Sequence, residues 1–254
     1  MTFDLAMFEA LLPFIAVGFA AQLIDGALGM AFGVISNTLL VSVLGVPPKQ
    51  GSAGVHLVEM FTTAASGISH VAHRNVDWWL FVRLVFPGII GGVLGAYILV
   101  SLDASITRPF VMAYLSLIGI YLLARSFGVT PQPRRPRVIA PLGLIGGFLD
   151  AAGGGGWGPV VTSNLLLQGS DPRKTIGTVN TAEFFLTTSI SIAFIVGIGF
   201  EAFTTATIGL LIGGIAAAPF GALLAKRIAP TMLLRLVGIV LTATSAFSLY
   251  RALA

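Results

Sequence analysis

Twice in this chain an apolar run long enough for lipid is interrupted by an aspartate and a cluster of glycines. The first copy reads Leu23-Ile24-Asp25-Gly26-Ala27-Leu28-Gly29, and the second Gly147-Phe148-Leu149-Asp150-Ala151-Ala152-Gly153-Gly154-Gly155-Gly156. A glycine inside a helix costs about 1 kcal/mol relative to alanine, so clustered glycines stop a helix. Non-helical backbone at membrane depth must then be solvated by protein or by a water-filled cavity. A duplicated unit with one broken helix per copy is the pattern of secondary transporters, whose site lies where the breaks meet.

Composition supports a lipid environment. Of 254 residues 56% are apolar and only 9% charged, where a soluble domain carries about 25% charged residues. The net charge of +4 sits in short loops between apolar runs, which is no footprint for nucleic acid. The absence of cysteine removes disulfides and thiolate metal sites. Asp4 precedes the first apolar stretch and no basic segment opens it, so that stretch is expected to belong to the fold rather than to a cleaved leader.

Crossing a hydrocarbon core takes about 20 apolar residues. On that basis 8–46 is too long for one helix and breaks at 25–29, leaving two short arms. Further segments are expected at 50–72, 78–102 and 107–127, the third unit opening on the interfacial pair Trp78-Trp79. Residues 128–141, rich in proline and arginine, cannot span and form a linker. The second half then repeats the order with 142–168 (broken), 174–198, 203–224 and 231–253. The copies register: Asp25 with Asp150, Phe32 with Trp157, Gly33 with Gly158, His56 with Asn180, Glu59 with Glu183, Gly88 with Gly214 and Arg125 with Arg251. The expected fold is therefore an all-α polytopic membrane protein of about 8–10 membrane segments. It has two repeats, 1–127 and 142–254, joined by a cytoplasmic linker at 128–141. Each repeat comprises a glycine-broken first hairpin, spanning or re-entrant, plus three further helices.

Charge placement sets the parity. If each half changes sides an odd number of times, Arg74, Arg173, Lys174, Lys226 and Arg227 all join the linker in the cytoplasm, as the positive-inside rule requires. Even parity moves four of them outside. The halves are thus expected to be inverted relative to each other.

These residues resemble the TauE/SafE sulfite-exporter family of bacterial membrane permeases. The likeness covers nearly the whole chain. It rests on the duplicated glycine-rich segments (Ile24 to Met30 and Leu149 to Gly158), on the loops Pro47-Pro48-Lys49 and Pro172-Arg173-Lys174, and on the glycine-rich span Pro87 to Gly95. The resemblance implies transport of small sulfur-containing anions such as sulfite or organosulfonates.

A helix restarting near Met30 or Gly155 offers unpaired N–H groups that suit an oxyanion. The candidate substrate residues are therefore Gly29, Met30, Phe32, Gly33, Asn37, His56, Gly154, Gly155, Trp157, Gly158, Asn164 and Asn180. Asn37 and Asn164, with Ser36 and Ser163, lie past the breaks and are candidates to donate to sulfonate oxygens. Phe32 and Trp157 either wall a cavity or simply pack. Asp25 and Asp150 are expected either to cap the restarting helices or to carry protons. Glu59 and Glu183 lie inside apolar helices, where an ionised carboxylate is expensive, so they serve either as proton carriers or as interhelical clamps. His56 shares a face with Glu59, as Asn180 does with Glu183.

Other features carry blander expectations. The small-xxx-small pair Gly91/Gly95 is expected to pack helices. Lys49 and Lys174 either attract anions at the mouths or snorkel, and Arg83 is expected to snorkel. His70 and His73 lack a third ligand, so no metal is expected, and no cofactor. A homodimer through glycine-rich faces is carried as an open expectation. Two other function classes remain: a passive anion channel, and an intramembrane hydrolase built on Ser52 and His56, for which the Gly-x-Ser-x-Gly elbow is missing.

Overall fold

The computed structural model describes residues 5–28, 30–72, 74–102, 104–127, 135–199, 204–225 and 230–253. All regular structure among them is helical: α1 (Leu5–Leu28), α2 (Phe32–Thr38), α3 (Pro48–Ala72), α4 (Trp78–Ser101), α5 (Ala104–Arg125), α6 (Ala140–Gly153), α7 (Ser163–Leu167), α8 (Pro172–Ile198), α9 (Thr205–Ala225) and α10 (Pro230–Leu253). A π-helical turn, Leu39–Val43, continues α2, and another, Gly158–Thr162, leads into α7. Local signals set the boundaries. Asp77 caps α4 by accepting the N–H groups of Trp79 and Leu80 at 3.0 and 3.2 Å, and Asp171 caps α8 by accepting that of Lys174 at 2.8 Å. Both place a carboxylate on the orphan donors of a first turn.

One boundary departs from expectation. The first break lies later than 25–29, because α1 continues through Asp25 to Leu28 and Ala31 is the residue in the left-handed conformation, with φ 105°. Ala27 and Leu28 are good helix formers that carry α1 past Gly26, and in the repeat register Leu28 is the counterpart of Gly153, where α6 ends, so both first arms stop at the same position. The helices restart at Phe32 and Trp157 rather than at Met30 and Gly155.

Glycines let the helices approach closely. Gly91 and Gly95 of α4 lie against the backbone of Leu144 and Phe148 of α6, and Gly147 lies against Gly88. On α9, Gly209 and Gly213 lie in the same way against 11–19 of α1. These two pairs run parallel. α3 and α8 are antiparallel, with Gly67 beside Thr181 and the His56 ring 6.2 Å from that of Phe194. α5 and α10 are antiparallel too, with Gly119 facing Thr242 and Gly238 facing Leu123. Exchanging the halves thus maps every major packing pair onto another or onto itself. Small residues are what bring helices together in lipid, where apolar burial drives nothing. Gly91→Leu should therefore part α4 from α6, because even a methyl group at Gly91 would stand 2.9 Å from the Phe148 nitrogen. The expected cost is about 1–3 kcal/mol, read as a lower thermal midpoint of monodispersity in detergent.

The second broken hairpin begins and ends at the same end of the bundle. Gln168, just past α7, accepts the N–H groups of Arg137 and Val138 at 2.8 and 2.9 Å and donates to the Val138 carbonyl at 3.1 Å. Its exit therefore meets its entrance. The first hairpin enters at the opposite end, where α1 starts alongside α9, and it returns there: Ser42 donates to the Met112 sulfur, in the first half of α5, at 2.9 Å.

Candidate functional site

The two breaks meet in the centre of the bundle. Gly155, at φ 132°, has its α-carbon against the backbone of Gly33 and Val34, and Gly158 lies beside Met30. A methyl group placed on Gly33 would stand 2.8 Å from the Gly155 α-carbon and 2.7 Å from Glu59 Oε1. Only a side chain without a β-carbon fits either position.

Each aspartate bridges its own break. Asp150 Oδ1 accepts the Trp157 N–H at 2.8 Å, and Asp25 Oδ1 accepts the Phe32 N–H at 3.2 Å. The carboxylate, in the last turns of one arm, thereby caps the helix that restarts seven residues later. Both copies share this geometry, and in both it ties the two arms of the hairpin together. The Asp150 carbonyl also accepts the Gly155 N–H at 2.8 Å, closing the end of α6 around left-handed Gly154.

Beyond this the copies differ. Asp150 Oδ2 contacts His56 Nε2 at 3.0 Å, and both side chains are buried. His56 Nδ1 lies 2.7 Å from the Ser52 carbonyl, which can only accept, so Nδ1 carries a proton. Ser52 Oγ donates to the Ala151 carbonyl at 2.7 Å, and Asn37 Nδ2 to that of Gly153 at 2.6 Å. The serine proton is thus directed at a backbone carbonyl and away from the imidazole, the wrong arrangement for an activated nucleophile. Three side chains of the first half hold the second break.

The reciprocal contacts look different. Asn180, the counterpart of His56, donates to the Ile176 carbonyl of its own helix at 3.0 Å. Asn164 likewise turns back to Val160 at 2.8 Å, and the residue in the Asn37 position of the second repeat is Thr162, not Asn164. Phe32 and Trp157 are packing residues rather than cavity walls. Trp157 is fully buried against Gly88 and Gly146 and donates its indole N–H to the Val179 carbonyl at 3.2 Å, while Phe32 sits against Gly214. Gly29 lies outside the described residues, as do His73, Lys226 and Arg227.

Unmet hydrogen-bonding capacity collects around the breaks. Among the described residues, Asn37 Oδ1, Glu59 Oε2, Ser36 Oγ, Thr38 Oγ1, Thr162 Oγ1 and Gln22 Oε1 are buried without a partner. Buried polar atoms are normally paired, so such a cluster is what a polar ligand or mobile proton would satisfy. Glu59 accepts the Gly33 N–H with its other side, and Asp25, Asp150 and Glu183 lie within electrostatic reach of it. The site's sequence-expected carboxylates are therefore brought together. Ser52 and Thr162 enter the site as side chains that sequence spacing did not single out for binding.

At one end of the bundle Lys174 Nζ donates to the Arg74 carbonyl at 2.8 Å, fastening α8 to the α3–α4 turn. Arg83 stacks 4.1 Å from the Trp79 ring, with Arg135 at 6.0 Å from the same ring. Arg83 snorkels, as expected, whereas Lys174 is an interhelical fastener.

A family model described as "Sulfite exporter TauE/SafE" matches residues 14–248. The chain is also 43% identical over 239 residues to the "Probable membrane transporter protein YtnM" of Bacillus subtilis (strain 168), covering 91% of this chain and 79% of that protein. Helices of membrane-spanning length and composition, paired glycine breaks and a match over nearly the full length agree: this chain is a membrane transporter protein of the sulfite exporter TauE/SafE family.

Proposed function

We propose that the protein is a secondary transporter of small sulfur-containing anions, working by alternating access in a bacterial inner membrane. The observation that carries this reading is the position of the two aspartates on the N–H groups of Phe32 and Trp157. An oxyanion and a carboxylate compete for the same helix ends. A proton delivered to Asp25 or Asp150 weakens the carboxylate's hold and frees the N–H groups for the anion, so proton and substrate bind together. His56 is placed to exchange that proton with Asp150. Glu59 and Glu183, on the antiparallel pair α3 and α8, lie within electrostatic reach of the aspartates.

Orientation follows from charge. Arg74, Arg83, Arg135, Arg137 and Lys174 share the end at which the second hairpin opens, and the positive-inside rule makes that end cytoplasmic. The halves would then lie inverted across the bilayer.

Proteoliposomes loaded against a pH gradient test the reading, with sulfite, thiosulfate, sulfoacetate and taurine as the panel. Uphill accumulation of at least one of them is expected. Glu183→Gln should abolish pH-driven uptake while leaving exchange of labelled substrate intact. Conductance far above carrier rates without accumulation would make the protein a channel. Unchanged pH dependence in both Glu59→Gln and Glu183→Gln would remove these residues from coupling.

A further inference from the structure

The second break has a neighbour that the first lacks. Tyr114, near the middle of α5, lays its ring against Gly153 and its hydroxyl against Gly156, and that hydroxyl lies 3.5 Å from the Gly155 carbonyl. No β-carbon would fit at Gly153 or Gly156 beside this ring, which gives the glycine run a purpose beyond unwinding. In the repeat register Tyr114 corresponds to Val240, which is exposed on the surface of α10.

On the far side of Tyr114 lies an apolar crevice of about 420 Å³ between the end of α4, the start of α5 and the end of α6. Ile98, Leu102, Phe110, Phe148 and Ala152 form its walls, and Tyr114 and Gly153 close its inner end. Phe110 and Ile98 are exposed, so the crevice opens at the bundle surface, toward the end opposite the Arg74 turn. The tyrosine ring is therefore the wall between an open, apolar path and the glycine backbone that Asp150 closes. The break is held on its other contacts by short polar side chains, Asn37, Ser52 and His56. Of its described neighbours, Tyr114 is the one that also borders open space.

We propose that Tyr114 sets access and specificity at the second break, with its ring and hydroxyl as the partition between the apolar crevice and Gly155–Gly156. This rests on the reading of the breaks as the anion site, and it adds a substrate class. An organic anion can lay its apolar part along the crevice while its charged head reaches the break once the ring swings aside. Bare oxyanions gain nothing from that wall. Side-chain rotation of this kind is a gating step of the sort that completes and encloses a site.

The natural absence of cysteine makes the partition directly testable. A Ser52→Cys reporter puts a thiol at a fully buried position one hydrogen bond from the hairpin, and the probe is a membrane-impermeant methanethiosulfonate ethylsulfonate. Tyr114→Val, which removes the ring, should raise the labelling rate about tenfold or more, and Tyr114→Phe, which keeps the ring, should leave it near the parent rate. An Ala152→Cys reporter on the crevice wall should label alike in all three backgrounds, showing that the fold is retained. Parent-like labelling in Tyr114→Val overturns the proposal, and so does an equal rise in Tyr114→Phe, because the ring would then not be the barrier. Should Tyr114→Val lose monodispersity, Tyr114→Leu is measured against the same two limits. In uptake, Tyr114→Val should widen the range of organosulfonates accepted. Labelling needs no substrate, so failure of the partition is separable from failure of the transport reading, which uphill uptake alone decides.

Discussion

Gly155→Leu should abolish anion uptake and destabilise the protein more than any other single glycine substitution at a left-handed position. Gly155 combines two demands. Its φ of 132° is open to glycine and strained for leucine, and its α-carbon rests on the backbone of Gly33 and Val34 from the other half. Strain of this kind costs about 1–3 kcal/mol, and forced overpacking adds about 1–3 kcal/mol more. A domain's whole stability is about 5–15 kcal/mol, so the sum is a large share of it. Gly45→Leu separates the two effects, since Gly45 has φ 69° but nothing within 4 Å of where a β-carbon would stand. It should show the strain alone and retain uptake. The check is the thermal midpoint of monodispersity together with proteoliposome flux. A Gly155→Leu protein with parental uptake would remove the meeting of the breaks from the mechanism.

Asp150→Ala should cost more than Asp25→Ala, although the residues are counterparts. Each substitution removes a cap on the restarting helix, worth about 0.5–2 kcal/mol. Asp150→Ala also strands His56 Nε2, which is fully buried with no other partner shown. An unsatisfied buried group of that kind costs about 1–3 kcal/mol. The difference between the variants should vanish in a His56→Leu background, where nothing is left to strand. Equal losses in the parent background would mean that the histidine contact contributes nothing measurable. In transport, Asp25→Ala should keep exchange, whereas Asp150→Ala should lose both exchange and pH-driven uptake.

Several features were legible from residues alone. Most helix extents and the two breaks follow from apolar run length, proline and clustered glycine, all of which act within a turn or two, although α6 begins at Ala140, inside the linker expected at 128–141. The aspartate caps were one of two expected roles for Asp25 and Asp150, and the repeat register placed the partners Phe32 and Trp157 seven residues on. Gly91 and Gly95 were expected to pack helices and do so. The expected break at 25–29 began too early, because Gly26 alone does not stop a helix that Ala27 and Leu28 sustain.

What no spacing announced is which side chain meets which break. His56 and Asp150 are 94 residues apart, and Asn37 and Gly153 are 116 apart. Tyr114 reaches the glycine run from a helix whose counterpart carries a valine. The physical reason is that these helices are apolar nearly all round, so hydrophobic period does not mark the face that turns inward. Breaks, caps and lengths are local free energies and stand written in the chain. Helix rotation is chosen by glycine contacts between segments distant in sequence, and only the assembled bundle decides that two near-identical breaks acquire different neighbours.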